Sequence, residues 1–204
     1  MSCDTPDPGH AHVIRAAAYR RERWRNGAGW TERILSLPGD GDGDWDLRLS
    51  IASIEQDAGF SRFDGVEREF VLLQGQGLQL AFADGRSVEL QPPYPRVRFA
   101  GEDPPRAQLG EGPCKAFNLM WKRQAWQVQL LHRPLVGAMV FFSEPQVAWA
   151  IHLLGGQASF DPATGLPALA AGDTAWLPAG PRQRFALDGG GELLAVRIER
   201  VAEA

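Results

Sequence analysis

The chain has 204 residues, 44% of them hydrophobic and 23% charged, apolar enough for a substantial core and not for a disordered chain. Its 21 basic and 25 acidic residues are interspersed to a net charge of -4, so no basic block concentrates the phosphate contacts that nucleic-acid binding needs. Abundant Gly (23), Pro (15) and Trp (7), with few runs of helix formers, point to short strands joined by tight turns.

Residues 1–12, rich in Asp, Pro and His, read as a flexible tail without the apolar stretch of a signal peptide. Cys3 lies in that tail and Cys114 follows a distant Gly-Pro turn, which is neither a disulfide scaffold nor a zinc cluster. A reduced, cytoplasmic setting is therefore expected. No later segment has the roughly 20 apolar residues that cross a membrane. Residues 13–20 suit either a short strand or one helical turn, and Arg15, Arg20, Arg21, Arg23 and Arg25 read as a solvated basic cluster.

From Trp24 to Glu32 the glycines suggest a loop, followed by a strand through Ile34 and Leu37, and residues 39–44 alternate Gly and Asp as an exposed turn. Leu47, Leu49 and Ile51 alternate with Arg48, Ser50 and Ala52, the period of a half-buried strand. Strands are likewise expected over 68–73, where Arg68 shares a face with Phe70 and Leu72, and around Leu78, Val88, Val97, Lys115–Trp121 and Gln127–Leu131. A second half is expected from Pro134, with strands over 138–142, 147–154, 174–177 and a final hairpin turning at Asp188–Gly191; Gly155-Gly156 reads as a turn.

An internal echo joins the halves. Phe70–Gly75 and Trp149–Gly155 are each an apolar strand entering a glycine turn, with a Gly-acid turn further on at Gly101-Glu102 and Gly172-Asp173. Coincidence between two β meanders gives the same pattern; a duplicated β barrel explains it economically, since closure removes exposed edges. Gly172–Gly180 resembles the second motif of the cupin superfamily, but the motif's metal-binding His is Gln183 here. The Glu of the first motif is replaced by Arg68 in one half and Ala148 in the other. His10, His12, His132 and His152 lack the spacing of a ligand set, so no metal is expected.

Longer motifs are more specific. Trp24-x-Asn26-Gly27-x-Gly29-x-Thr31-Glu32, Arg48–Ala52, Gly59–Val66-x-Arg68, Leu72-Leu73-x-Gly75-x-Gly77 and Phe117–Met120 together resemble the HutD/Ves family, with Ala28 where a third glycine is common. That resemblance implies an all-β bicupin, two cupin-like barrel or jelly-roll halves: 13–133, and a smaller 134–204 with strands open to sharing. It also implies no known catalytic activity, no cofactor, and an accessory or regulatory role associated with histidine utilisation, through binding an intermediate such as formylglutamate or urocanate. A homodimer through barrel edges is compatible with it.

The candidate ligand-binding residues are Asn26, Thr31, Glu32, Arg48, Arg68 and Asn118, with Trp24, Phe60 and Phe63 as pocket wall or barrel plug. Asn and Thr both donate and accept hydrogen bonds, and glycine lets backbone approach a ligand. A buried guanidinium must be paired: by an acid ligand held in a bidentate contact, by Glu32 in a structural network, or by water if the face is exposed. Asn118 points away from Phe117 and Leu119, into either a pocket or the core. There is no Gly-x-Ser-x-Gly elbow, phosphate loop or His-Glu-x-x-His pair, and Ser61 has no identifiable base. The sequence thus favours a metal-independent binder of a small carboxylate or amide metabolite, with no nucleic-acid or membrane partner. The alternative is a metal-independent isomerase or hydrolase using Glu32 as general base.

Overall fold

The structure is a computed structural model that describes residues 9–24, 26–38 and 45–202. Cys3, Arg25, the turn at 39–44 and most of the expected tail lie outside the described residues. The elements are β1 (His12–Ile14), a 3-10 turn (Ala16–Ala18), β2 (Arg20–Arg23), β3 (Gly29–Leu37), β4 (Leu47–Ile54), β5 (Ala58–Gly59), β6 (Val66–Gln74), β7 (Leu78–Ala81), β8 (Ser87–Leu90) and β9 (Arg96–Ala100). They continue as β10 (Arg106–Leu109), β11 (Cys114–Lys122), β12 (Trp126–Ser143), β13 (Val147–Phe160), a second 3-10 turn (Pro162–Thr164), β14 (Leu169–Ala170), β15 (Thr174–Leu177) and β16 (Gln183–Arg200). The expected all-β class is found, and among the described residues no helix is long and apolar enough to cross a membrane.

The chain divides into two compact units, 20–125 and 1–19 with 126–204. This differs from the division expected at 133/134. Pro134 sits inside β12, which runs unbroken from Trp126 to Ser143, and His12–Ile14 forms a strand of the C-terminal unit instead of ending a tail. Both alternatives for residues 13–20 occur, a strand and then a single 3-10 turn.

Unit 20–125 stacks two open sheets, not a closed barrel. One has the order β2-β3-β4-β11-β6-β9 and the other β5-β10-β7-β8. Apolar residues at alternate positions meet between them: Ile54, Phe70, Leu72, Leu78, Leu80, Leu90, Phe99 and Ala116 are all buried in one cluster. The sheets stay open partly because their rims are charged: β2 is Arg-Arg-Glu-Arg, fully exposed, and β9 presents Arg96 and Arg98 to solvent, where they pair with Glu69 and Glu67.

The other unit is one bent sheet, ordered β1-β15-β13-β16-β12 with β14 beside β13. One buried apolar cluster fills it, from Leu135, Ile151, Leu153 and Phe160 to Leu177, Phe185, Leu187 and Leu193. Here two expected turns are absent. Gly155-Gly156 lies within β13, and Asp188–Gly191 within β16, the strands pairing across these glycines. A Cβ on Gly156 would lie 1.9 Å from the Gly190 oxygen, and one on Gly191 1.9 Å from the Gly155 oxygen. The glycines therefore permit close crossing of two bent strands, a need that composition does not distinguish from a turn. The internal echo fails at this point, since Gly75 ends β6 in a real turn.

A buried polar chain ties residues 15–19 to this unit. Asp173, of the Gly-Asp motif, accepts from the backbone N–H of Ala16 (2.9 Å) and Ala170 (3.1 Å) and from Arg15 (2.6 Å). Burial alone would raise its carboxyl pKa, but these donors hold it below the usual range. Tyr19 donates to the Gly172 carbonyl at 2.6 Å, and Thr174 Oγ1 lies 2.7 Å from the Tyr19 hydroxyl and 2.9 Å from His152 Nδ1. With the tyrosine proton spent on a carbonyl, donation runs His152 to Thr174 to Tyr19, which selects the neutral imidazole carrying its proton on Nδ1.

A candidate anion-binding site

In unit 20–125 the inner face of the six-stranded sheet brings three strands into register. Met120 on β11 lies opposite both Arg48 on β4 and Arg68 on β6, and Asn118 lies opposite both Ser50 and Phe70. Period-two alternation carries Arg48, Met120, Asn118, Arg68 and Phe70 to one side of the sheet. They line a cavity of about 410 Å³, completed by Thr31 and Ala52 and by Phe60, Ser61 and Phe63 on the segment after β5.

Arg68 is 6% exposed. Its guanidinium lies over the rings of Phe60 (4.8 Å) and Phe99 (5.1 Å), and Nη2 donates to Asn118 Oδ1 at 3.0 Å. Arg48 is half-buried, 4.8 Å from the Trp45 ring and 5.9 Å from Phe63, with Nη2 3.4 Å from the Met120 sulfur. Aromatic faces and a thioether compensate a cation weakly. The Nε of each arginine is buried without a hydrogen-bond partner, and no carboxylate among the described residues forms an ion pair with either. Burial, and then the neighbouring Arg48 charge, push the Arg68 pKa down to about 9. Burial also lowers that of Arg48, assisted by Arg33 and opposed by Glu22. Three arginines thus line one pocket; Arg23 is paired with Glu55 at 2.7 Å, while Arg48 and Arg68 have little to offset them, an arrangement an incoming anion relieves.

The remaining expected residues divide. Thr31 lines the cavity and accepts from Trp24 Nε1 at 2.9 Å, which fixes the Trp24 ring against the pocket mouth. Asn26 borders the cavity, but its Oδ1 is used by the Ala28 N–H at 3.0 Å, so its first role is to form the turn. Gly27 takes the left-handed conformation of that turn (φ 71°) while Ala28 does not, so the methyl at 28 brings no strain. Glu32 does not belong to the cavity. It stands one residue after Thr31 in the same strand, opposite Ile51 and Arg21, and alternation turns it to the other face. That removes Glu32 both as partner of the arginines and as a general base in this pocket. Phe60 and Phe63 wall the pocket and also lie against the two guanidiniums. Trp45, Phe99 and Met120 were not identified from sequence; for Met120 the signal was available, as it alternates with Asn118 on one strand.

The segment carrying Phe60 and Phe63 is held at several points. Phe60 N–H donates to the Pro105 carbonyl, Phe63 N–H to Gly101 (both 2.9 Å), and Gly65 N–H to a carboxylate oxygen of Glu102 at 2.7 Å. Glu102 is paired with Arg123, which with the Gly65 amide holds its carboxyl down to about 2. No described residue lining the cavity is a carboxylate, histidine or cysteine, and among the described residues no three such groups converge to hold a metal ion.

Comparison with known proteins is consistent over most of the chain. A 21.2 kDa uncharacterised protein from the hutC 3' region of Pseudomonas putida is 37% identical over 118 residues, 58% of this chain and 62% of that protein. Protein Ves of Escherichia fergusonii is 42% identical over 98 residues, 48% of this chain and 50% of Ves. The chain thus spans half to three-fifths of the length of these relatives. The solved structure of HutD from Pseudomonas fluorescens SBW25, in a formate condition, superposes with a TM-score of 0.81 at 26% identity, covering 94% of this chain and all of HutD. Further structures of low identity share only the fold, which is cupin-like. The HutD family model matches residues 16–195, and the chain belongs to the HutD family.

Proposed function

We propose that the cavity of unit 20–125 binds a small carboxylate or amide-bearing metabolite, and that the protein acts as an accessory or regulatory binder without catalysing a reaction. One observation carries this reading: Arg48 and Arg68 lie in a pocket walled by aromatic rings, with no carboxylate ion pair among the described residues. A carboxylate reaching the terminal nitrogens of both offers charge-assisted hydrogen bonds that aromatic rings and a thioether do not supply. Asn118, Thr31 and Ser61 supply polar atoms for a second end of the ligand. Two supporting facts bear on context: a relative encoded in a hutC 3' region, and a HutD structure obtained with formate, the smallest carboxylate. Intermediates of histidine utilisation, formylglutamate and urocanate among them, are therefore the first ligands to test.

The two units correspond in this reading to two cupin halves, the first carrying the pocket and the second a core rich in Leu, Ile and Phe. Titration calorimetry with these acids, repeated on Arg68→Ala, tests the assignment. Saturable binding that the substitution weakens at least tenfold supports it. Equal affinity in both proteins removes Arg68 from the site, and no heat with any acid overturns the proposal.

A further inference from the structure

Among the described sheet edges, one stands unprotected. The edge strands of unit 20–125 are guarded, β2 by three arginines, β9 by Arg96 and Arg98, β8 by Glu89, and β5 by a length of two residues. In the other unit, β1 has only three residues and β14, beside β13, only two. The opposite edge of that sheet is β12, an 18-residue strand paired with β16 alone. Between Arg133 and Glu144 it has no charged residue, reading Pro-Leu-Val-Gly-Ala-Met-Val-Phe-Phe-Ser. Val136 is 90% exposed, Val140 41% and Phe142 39%, three of the four large exposed apolar residues of the described chain, and Ala138 between them is exposed too. An uncharged, apolar edge of this length templates pairing with another strand.

We propose that the edge is covered by a second copy of this chain, its β12 running antiparallel about a twofold axis at Ala138. The segment is self-complementary in that direction. With Ala138 facing its own counterpart, Val136 meets the partner's Val140, and Pro134 meets the partner's Phe142. Beyond them, Arg133 comes opposite the partner's uncharged Ser143 and His132 opposite the partner's Glu144, whereas parallel pairing would set arginine against arginine. The pairing region ends naturally at Phe142, whose carbonyl already accepts from Trp149 Nε1 at 2.9 Å. Such a contact closes: the sheet then terminates on both sides in the three-residue β1, too short to recruit a third copy.

Sedimentation equilibrium of the full chain over about 1–100 µM, which brackets micromolar dissociation constants, tests this with two paired variants. The wild type is expected at twice the 22.4 kDa chain mass. Val136→Lys/Val140→Lys sets like charges opposite each other and is expected to weaken association at least tenfold. Val136→Lys/Val140→Glu sets opposite charges face to face and is expected to remain dimeric. Both positions are exposed, and a thermal melt verifies that each variant folds. In a Cys3→Ser background, Ala138→Cys is expected to form an intermolecular disulfide when oxidised glutathione accepts the two electrons of the thiol pair. A monomeric wild type, equal behaviour of the two double variants, or no crosslink at position 138 overturns the proposal.

Discussion

Arg68 donates from Nη2 to the side-chain oxygen of Asn118 at 3.0 Å, across the seam between β6 and β11. The partner is a neutral amide, so the guanidinium is oriented while its charge is left uncompensated. Buried arginines are normally neutralised by a carboxylate. An asparagine here orients the guanidinium without neutralising it.

Asn118→Asp tests that statement, because it supplies the missing charge with hardly any change in shape. The variant is expected to melt at a higher temperature than the parent and to bind carboxylates at least tenfold more weakly, about 1.4 kcal/mol. Calorimetry and thermal denaturation on the same samples measure both; unchanged affinity would separate Arg68 from ligand capture.

Arg68→Met removes the charge and keeps the volume. Replacing a poorly compensated buried cation by an apolar side chain is commonly neutral or stabilising by about 1–4 kcal/mol. The Arg48 repulsion also disappears, although Asn118 loses its donor. Expected are a denaturant midpoint at or above that of the wild type and loss of acid binding, the signature of a residue retained for function at a cost in stability.

The glycine crossing gives a steric contrast between neighbours. Gly191→Ala places a Cβ 1.9 Å from a backbone oxygen at a left-handed φ of 137°, whereas a Cβ on Gly190 meets nothing within 4 Å. The first substitution is expected to cost about 3 kcal/mol or more and the second about 1 kcal/mol or less, measured by urea denaturation.

His152 supplies the pH dependence. Burial lowers its pKa from 6.5 to about 4, against the weaker opposing pull of Asp173. Between these values the unfolded chain binds a proton that the folded one excludes, so this contribution to stability falls as pH drops through the window. The slope is about 1.4 kcal/mol per pH unit at most. Urea midpoints between pH 7 and pH 4 are expected to decline in the wild type and to decline less in His152→Gln, which retains a donor for Thr174. Parallel curves would show that other groups set the acid sensitivity.

Much of the site was legible because a strand's period is short and strict. Once Phe70 and Leu72 are assigned to the core, Arg68 follows them inward, and Asn118 must oppose Phe117 and Leu119. The same rule excluded Glu32, yet proximity in a motif suggested grouping it with Thr31; two adjacent residues of a strand cannot both face one pocket. What was not legible is non-local. Nothing in His12–Ile14 announces Thr174–Trp176 as its neighbours, and nothing in Pro134 shows that a long strand passes through it. Clustered glycines at 155–156 and 189–191 resemble turns because both uses need the same missing side chain. Composition records that need without its geometry.

The pairing of β1 with β15 has a consequence for biosynthesis. Residues 20–125 are contiguous and contain both of their own sheets, so that unit has all its strands once the ribosome passes Ala125. The flanking unit draws on both sides of that stretch, and β1 must wait for a partner, β15, made more than a hundred residues later. The candidate pocket therefore belongs to the part of the molecule able to mature first, and removal of residues 12–14 is expected to disturb the part that matures last.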